Sequence, residues 1–163
     1  MDKLIHITKK AQLVILIDPD KFNPKLIELA NKSKVSFFLV GGSTLKENNL
    51  NKVVSQIKKK SKRPVIIFPG DEKQICKKAD GMLLLSLISG RNPEFLIGKH
   101  VKAAASIKKS KLKTISVGYI LVAGNKTSST QKVTNTKALS SSKTKLILDT
   151  AMAGELLGMK AIY

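Results

Sequence analysis

Leu13-Val14-Ile15-Leu16-Ile17-Asp18-Pro19-Asp20-Lys21 is the stretch whose reading decides the fold. Five apolar residues follow one another without alternation, as in a parallel strand covered on both faces. The run then meets two acids and a base, where a turn alone would need only the proline and one aspartate. Comparable runs recur at Val35–Val40, Val65–Phe68, Met82–Leu87 and Ile115–Val122. Helical patterns lie between them. Pro24–Lys32 has Asn23 as N-cap and proline in its first turn, and Leu50–Lys60 sets Leu50, Val53, Val54 and Ile57 on one face. Phe95–Lys109 and Thr150–Leu157 supply two more helices. Strands alternating with helices across short connections imply a parallel sheet with right-handed crossovers.

Asn125–Lys145 is rich in Ser, Thr, Lys and Asn with little periodicity, and reads as a loop with at most a short ordered piece. Gly158 fits a helix C-terminal glycine, and Met159–Tyr163 begins a sixth strand. A 42% hydrophobic content over 163 residues suits one domain, 1–163, with a proper core. Two parallel architectures remain open. Six strands complete an open, doubly wound sheet of flavodoxin type, whereas a closed barrel takes eight strands and typically about 250 residues. Length alone favours the open sheet.

No run of about 18 apolar residues exists. Met1–Lys10 mixes Asp2, Lys3, His6, Lys9 and Lys10 with isolated apolar residues, unlike a signal sequence, so a cytoplasmic location is expected. Cys76 stands alone and reads as a small core or boundary residue. His6 and His100 lack metal-ligand spacing and are read as structural or surface groups. The net charge of +19 points, taken by itself, to nucleic acid or an anionic membrane. Against nucleic acid, the only arginines are Arg63 and Arg91, the lysines spread through every helix and loop, and tryptophan is absent. A lysine bias on solvated faces, with no specific nucleic-acid partner, fits better.

Ligands of parallel α/β folds gather beyond the carboxyl ends of the strands, and three of these ends are unusual. Asp18 and Asp20 follow the first strand, Gly41-Gly42-Ser43-Thr44 the second and Pro69-Gly70 the third. Paired glycines admit close approach to the backbone, and exposed N–H groups with a hydroxyl suit a phosphate oxygen. A carboxylate such as Asp18 offers Mg²⁺ a hard oxygen, and Mg²⁺ commonly takes one or two carboxylates together with substrate phosphates. Asp18 and Ser43 thus make a metal and diphosphate edge, although both motifs would also serve simply to turn the chain. After the fourth strand, Arg91 either meets a phosphate or holds its own loop through carbonyls. Phe95 and Tyr119 either line an apolar groove or belong to the core.

Taken together and in order, six segments resemble the geranylgeranylglyceryl phosphate synthase family, which includes the bacterial heptaprenylglyceryl phosphate synthases. They are Leu16–Lys21, Val40–Thr44, Pro64–Gly70, Ser86–Pro93, Gly118–Val122 and Ala153–Lys160. The resemblance implies a TIM-barrel type fold, with about six of its eight strands in this chain. It further implies a prenyltransferase of lipid biosynthesis that joins C1 of a polyprenyl diphosphate to the 3-hydroxyl of sn-glycerol 1-phosphate, with Mg²⁺ as cofactor. By that resemblance Asp18 is the metal ligand and Ser43 its companion, Gly41 and Gly42 meet substrate, and Phe95 and Tyr119 line the prenyl groove. The product would pass to the membrane.

The chain also departs from the family pattern. Of the segment that follows the sixth strand and grips glycerol phosphate, only Tyr163 is present, so the resemblance implies an incomplete barrel with weak turnover. Open strand edges leave a homo-oligomer in view. The Asp71–Lys78 stretch is more charged than the family pattern. A non-catalytic basic α/β module that binds nucleic acid or anionic membrane is the alternative from another class.

Overall fold

The apolar runs become six strands: β1 Leu13–Ile17, β2 Val35–Val40, β3 Val65–Ile67, β4 Gly81–Ser86, β5 Lys113–Gly118 and β6 Ala161–Ile162. The computed structural model describes residues 11–45 and 49–163; the N-terminal stretch with His6 lies outside them. The strands stand in the sheet in chain order, β1-β2-β3-β4-β5-β6, and pair in parallel wherever their register is defined. No strand order reverses, so the sheet has no switch point. The open flavodoxin-type alternative is thereby excluded, and the order is that of a barrel wall.

The described residues form two compact units. One runs up to Met82 and takes in Ser106–Lys113; the other comprises Leu83–Ala105 and Thr114–Tyr163. In the first, helices α1 (Pro24–Asn31) and α2 (Leu50–Lys60) lay their apolar stripes on β1–β3. Ile27, Val54, Ile57, Phe38, Val40 and Val65 are entirely buried, each contributing about 1.5–3 kcal/mol relative to exposure. Cys76 joins this core, as its isolation in the sequence suggests. Asn23 caps α1 by accepting from Lys25 N at 3.0 Å, with Pro24 next to it. Only part of the burial expected of β1 is realised: Leu13 and Leu16 are 54% and 47% exposed. Among the described residues β1 pairs with β2 on one side alone, so one flank of the strand lacks the cover that β2 and β3 enjoy.

The second unit revises several boundaries. A π-helical turn at Glu94–Gly98 leads into α3, Lys99–Ser110. β5 begins two residues before the expected Ile115 and ends at Gly118, because beyond it the backbone leaves the ladder and Tyr119 N turns to the Ser86 carbonyl at 2.7 Å. The Ser/Thr-rich stretch holds a short helix, α4 (Ser129–Thr134), started by a capping box between Ser128 and Gln131. Helix α5 runs Thr144–Leu156, six residues earlier than the expected start. Gly158, with φ +82°, ends it. Met159 N reaches Gly154 O at 3.0 Å and Gly158 N reaches Glu155 O at 2.8 Å, a Schellman closure. Among the described residues no helix is long and apolar enough to cross a membrane.

Candidate active site

Hydrogen bonding at the end of β1 explains Asp18 locally. Its Oδ1 accepts from Asp20 N at 3.0 Å, capping the 3-10 turn Pro19–Lys21, so the aspartate turns the chain as the conservative reading of the motif requires. The other carboxylate oxygen has no hydrogen-bond partner among the described residues. The carboxylate also lies against the end of β2: a Cβ built on Gly42 would stand 3.4 Å from Asp18 Oδ1. The first two strand ends therefore bring a carboxylate and a glycine backbone together, as the sequence reading anticipates.

Gly41 has a packing reason to be glycine, since a Cβ there would lie 1.8 Å from the Phe68 carbonyl oxygen. Gly70 has another, at 2.2 Å from Gly42 O and 2.6 Å from Ser43 Cα. The ends of β2 and β3 thus press backbone to backbone, which fixes where Ser43 stands. Gln74 locks this contact. Buried, it donates from Nε2 to Gly42 O at 2.9 Å and accepts at Oε1 from Gly70 N at 3.3 Å. Sequence reasoning missed Gln74 because it lies in the charged stretch after Gly70; a glutamine amide offers both a donor and an acceptor, and that was the available signal. Asn49 is a second omission. It donates to Pro19 O at 3.0 Å, and its Oδ1 is buried without a hydrogen-bond partner among the described residues.

The donor set suits Mg²⁺ in kind. Asp18 carboxylate and Ser43 hydroxyl are hard oxygens, and among the described residues no group of three or more His, Cys, Asp or Glu side chains assembles.

The aromatic candidates stand in the second unit, tied to the end of β4. Tyr119 N donates to Ser86 O, and Leu87 N donates to Phe95 O at 3.0 Å. Phe95 carries the Lys99 ammonium 5.3 Å from its ring centre. Tyr119 meets Tyr163 edge-on, with ring centroids 5.1 Å apart, and its hydroxyl lies 3.3 Å from Thr130 Oγ1. Burial, with Tyr119 beside it, pushes the Tyr163 hydroxyl above its ordinary value of 10.0. Arg91 takes the structural of its two roles, donating to Ile88 O and Gly90 O at 3.1 and 2.8 Å.

Comparison with known proteins places the chain. A model of the PcrB family matches residues 5–163. The geranylgeranylglyceryl phosphate synthase of Chitinophaga pinensis is 45% identical over 91% of this chain and 61% of its own length. The protein of the same name from Flavobacterium johnsoniae is 43% identical over 93% of this chain and 64% of its own length. Among solved structures, the (S)-3-O-geranylgeranylglyceryl phosphate synthase of Thermoplasma acidophilum, in complex with substrate sn-glycerol-1-phosphate, superposes with a TM-score of 0.87 at 29% identity, covering 95% of this chain and 64% of that one. The chain spans under two thirds of the length of each.

Proposed function

The chain belongs to the PcrB family, and from that footing we propose that it is a prenyltransferase that joins a polyprenyl diphosphate to sn-glycerol 1-phosphate, giving an ether-lipid precursor. The bond from C1 to the diphosphate oxygen breaks, a bond from C1 to the glycerol 3-oxygen forms, and pyrophosphate and the hydroxyl proton depart. The observation that carries this reading is the Asp18 carboxylate held against the Gly42 backbone, at the strand ends where parallel folds bind ligands. Relatives named geranylgeranylglyceryl phosphate synthase support the substrate class, as does a solved relative whose substrate is sn-glycerol-1-phosphate.

Asp18 and Ser43 would hold Mg²⁺, which when bound supplies positive charge to the departing diphosphate. Gly41 and Gly42 shape the edge along which the diphosphate lies, and Gln74 keeps that edge from shifting. The family resemblance assigns Phe95 and Tyr119 to the prenyl chain and Tyr163 to the glycerol phosphate. Calorimetry with geranylgeranyl diphosphate, in Mg²⁺ and in EDTA, tests the proposal together with detection of the ether product once sn-glycerol 1-phosphate is added. Binding is expected to need Mg²⁺ and product to need both substrates. Equal binding in EDTA would remove the metal from the scheme, and pyrophosphate release without the ether would remove the transfer.

A further inference from the structure

In the first unit the two ends of the sheet differ in charge. Beyond the strands' carboxyl ends its described acids, Asp18, Asp20, Asp71 and Glu72, outnumber the bases beside them, Lys21 and Lys73. The loops that feed the amino ends of the strands carry lysine instead. Lys32 and Lys34 precede β2, and Lys59 and Lys62 precede β3. Lys77 precedes β4, and Lys108, Lys109 and Lys111 precede β5. All eight are exposed and have no acidic partner among the described residues. The two acids at this end, Glu28 and Asp80, are already taken by Lys60 and Lys58.

The loops are bound into one platform. Arg63 donates to the carbonyls of Ala30, Ser33 and Val35, and Asn31 exchanges hydrogen bonds with Lys60 O and Ser61 Oγ. Asp80 bridges the end of α2 to Val65 N at 2.8 Å. Ile107 and Leu112, flanking the last lysine group, pack on the same core. Lysine near a helix C-terminus is favoured by the helix dipole, which accounts for one or two charges per helix. It does not account for the lysines of the loops themselves, which outnumber the acids of this end.

We propose that this lysine platform, at the amino ends of the strands, docks the protein on an anionic lipid surface. Lysines on flexible stems suit mobile headgroups, each adding to the attraction near the surface. The single arginine of this end is spent on carbonyls, and none of its loops offers an exposed aromatic ring on which a base could stack. Docking here leaves the Asp18 edge open, because that edge stands at the opposite ends of the same strands. The choice of lipid over polynucleotide also draws on the prenyl chemistry proposed above; vesicle binding is measured without substrate, so the two proposals fail separately.

The full chain is sedimented with phosphatidylcholine–phosphatidylglycerol vesicles, with pure phosphatidylcholine vesicles and with polyuridine, at low and moderate salt. Two triple variants of equal charge change are compared: Lys59→Glu/Lys108→Glu/Lys109→Glu on the platform, and Lys126→Glu/Lys137→Glu/Lys143→Glu in the second unit. The parent should bind the mixed vesicles alone, and less as salt rises. The platform triple should lose about tenfold or more in affinity and the other triple much less, with cooperative melting retained in both. The corresponding Lys→Gln platform triple should fall between parent and Lys→Glu, which guards against a folding defect in the latter. Equal loss in both triples would show that net charge suffices. That outcome, binding to neutral vesicles, absence of vesicle binding, or tighter binding to polyuridine would each overturn the proposal.

Discussion

A methyl group at Gly41 would sit 1.8 Å from the Phe68 carbonyl oxygen, and a backbone atom cannot step aside as a side-chain tip can. Gly41→Ala is therefore expected to cost about 3 kcal/mol, read as a lowered midpoint of urea unfolding. An unchanged midpoint would mean that the ends of β2 and β3 are not pressed together as described. His100 makes a prediction of opposite character. Burial lowers its pKa below the ordinary 6.5, against a smaller upward pull from backbone groups of Leu96 and Leu85. The folded protein then binds fewer protons than the unfolded chain as pH drops below 6.5, so its contribution to stability is full above that value and declines through the folded-state pKa. Melting temperatures measured downward from neutral pH should show a decline that is weaker in His100→Gln; identical profiles would rule the histidine out as its source.

Among the elements, Gly158 closes α5 in the left-handed region. Replacing it by alanine should cost about 1 kcal/mol, seen in the melting temperature, with Gly158→Asn recovering part of the loss. Gly158 could be read from sequence because a glycine at a helix end has a single common use. The strands were equally legible, since a continuous apolar run such as Val35–Val40 has few other homes. α4 was less so: Ser128 and Gln131 spell a capping box, but no apolar periodicity follows it within six residues. The early start of α5 was hidden by Ser140–Lys145, a polar run without helical periodicity, and Leu146 and Leu148, which follow it, stay exposed. Of the candidate site, Asp18 beside Gly42 followed from strand-end chemistry. The Gln74 clamp did not, because its two partners are backbone atoms 4 and 32 residues away.

At the scale of the whole molecule the net charge of +19 sets up repulsion that salt relieves. The melting temperature should rise with sodium chloride, most steeply at low ionic strength; a flat or falling curve would show that the lysines are already neutralised by partners. We place the proposed prenyl-transfer chemistry at the carboxyl ends of the strands, and at Asp18 above all. Asp18→Asn isolates that claim, because an asparagine oxygen can still accept from Asp20 N and keep the turn while the charge is lost. The decisive measurement is the Mg²⁺-dependent rate of prenyl transfer to sn-glycerol 1-phosphate in this variant and the parent, with melting curves recorded on both. The variant's rate is expected at background with unchanged melting; a rate equal to the parent's would rule Asp18 out of the chemistry.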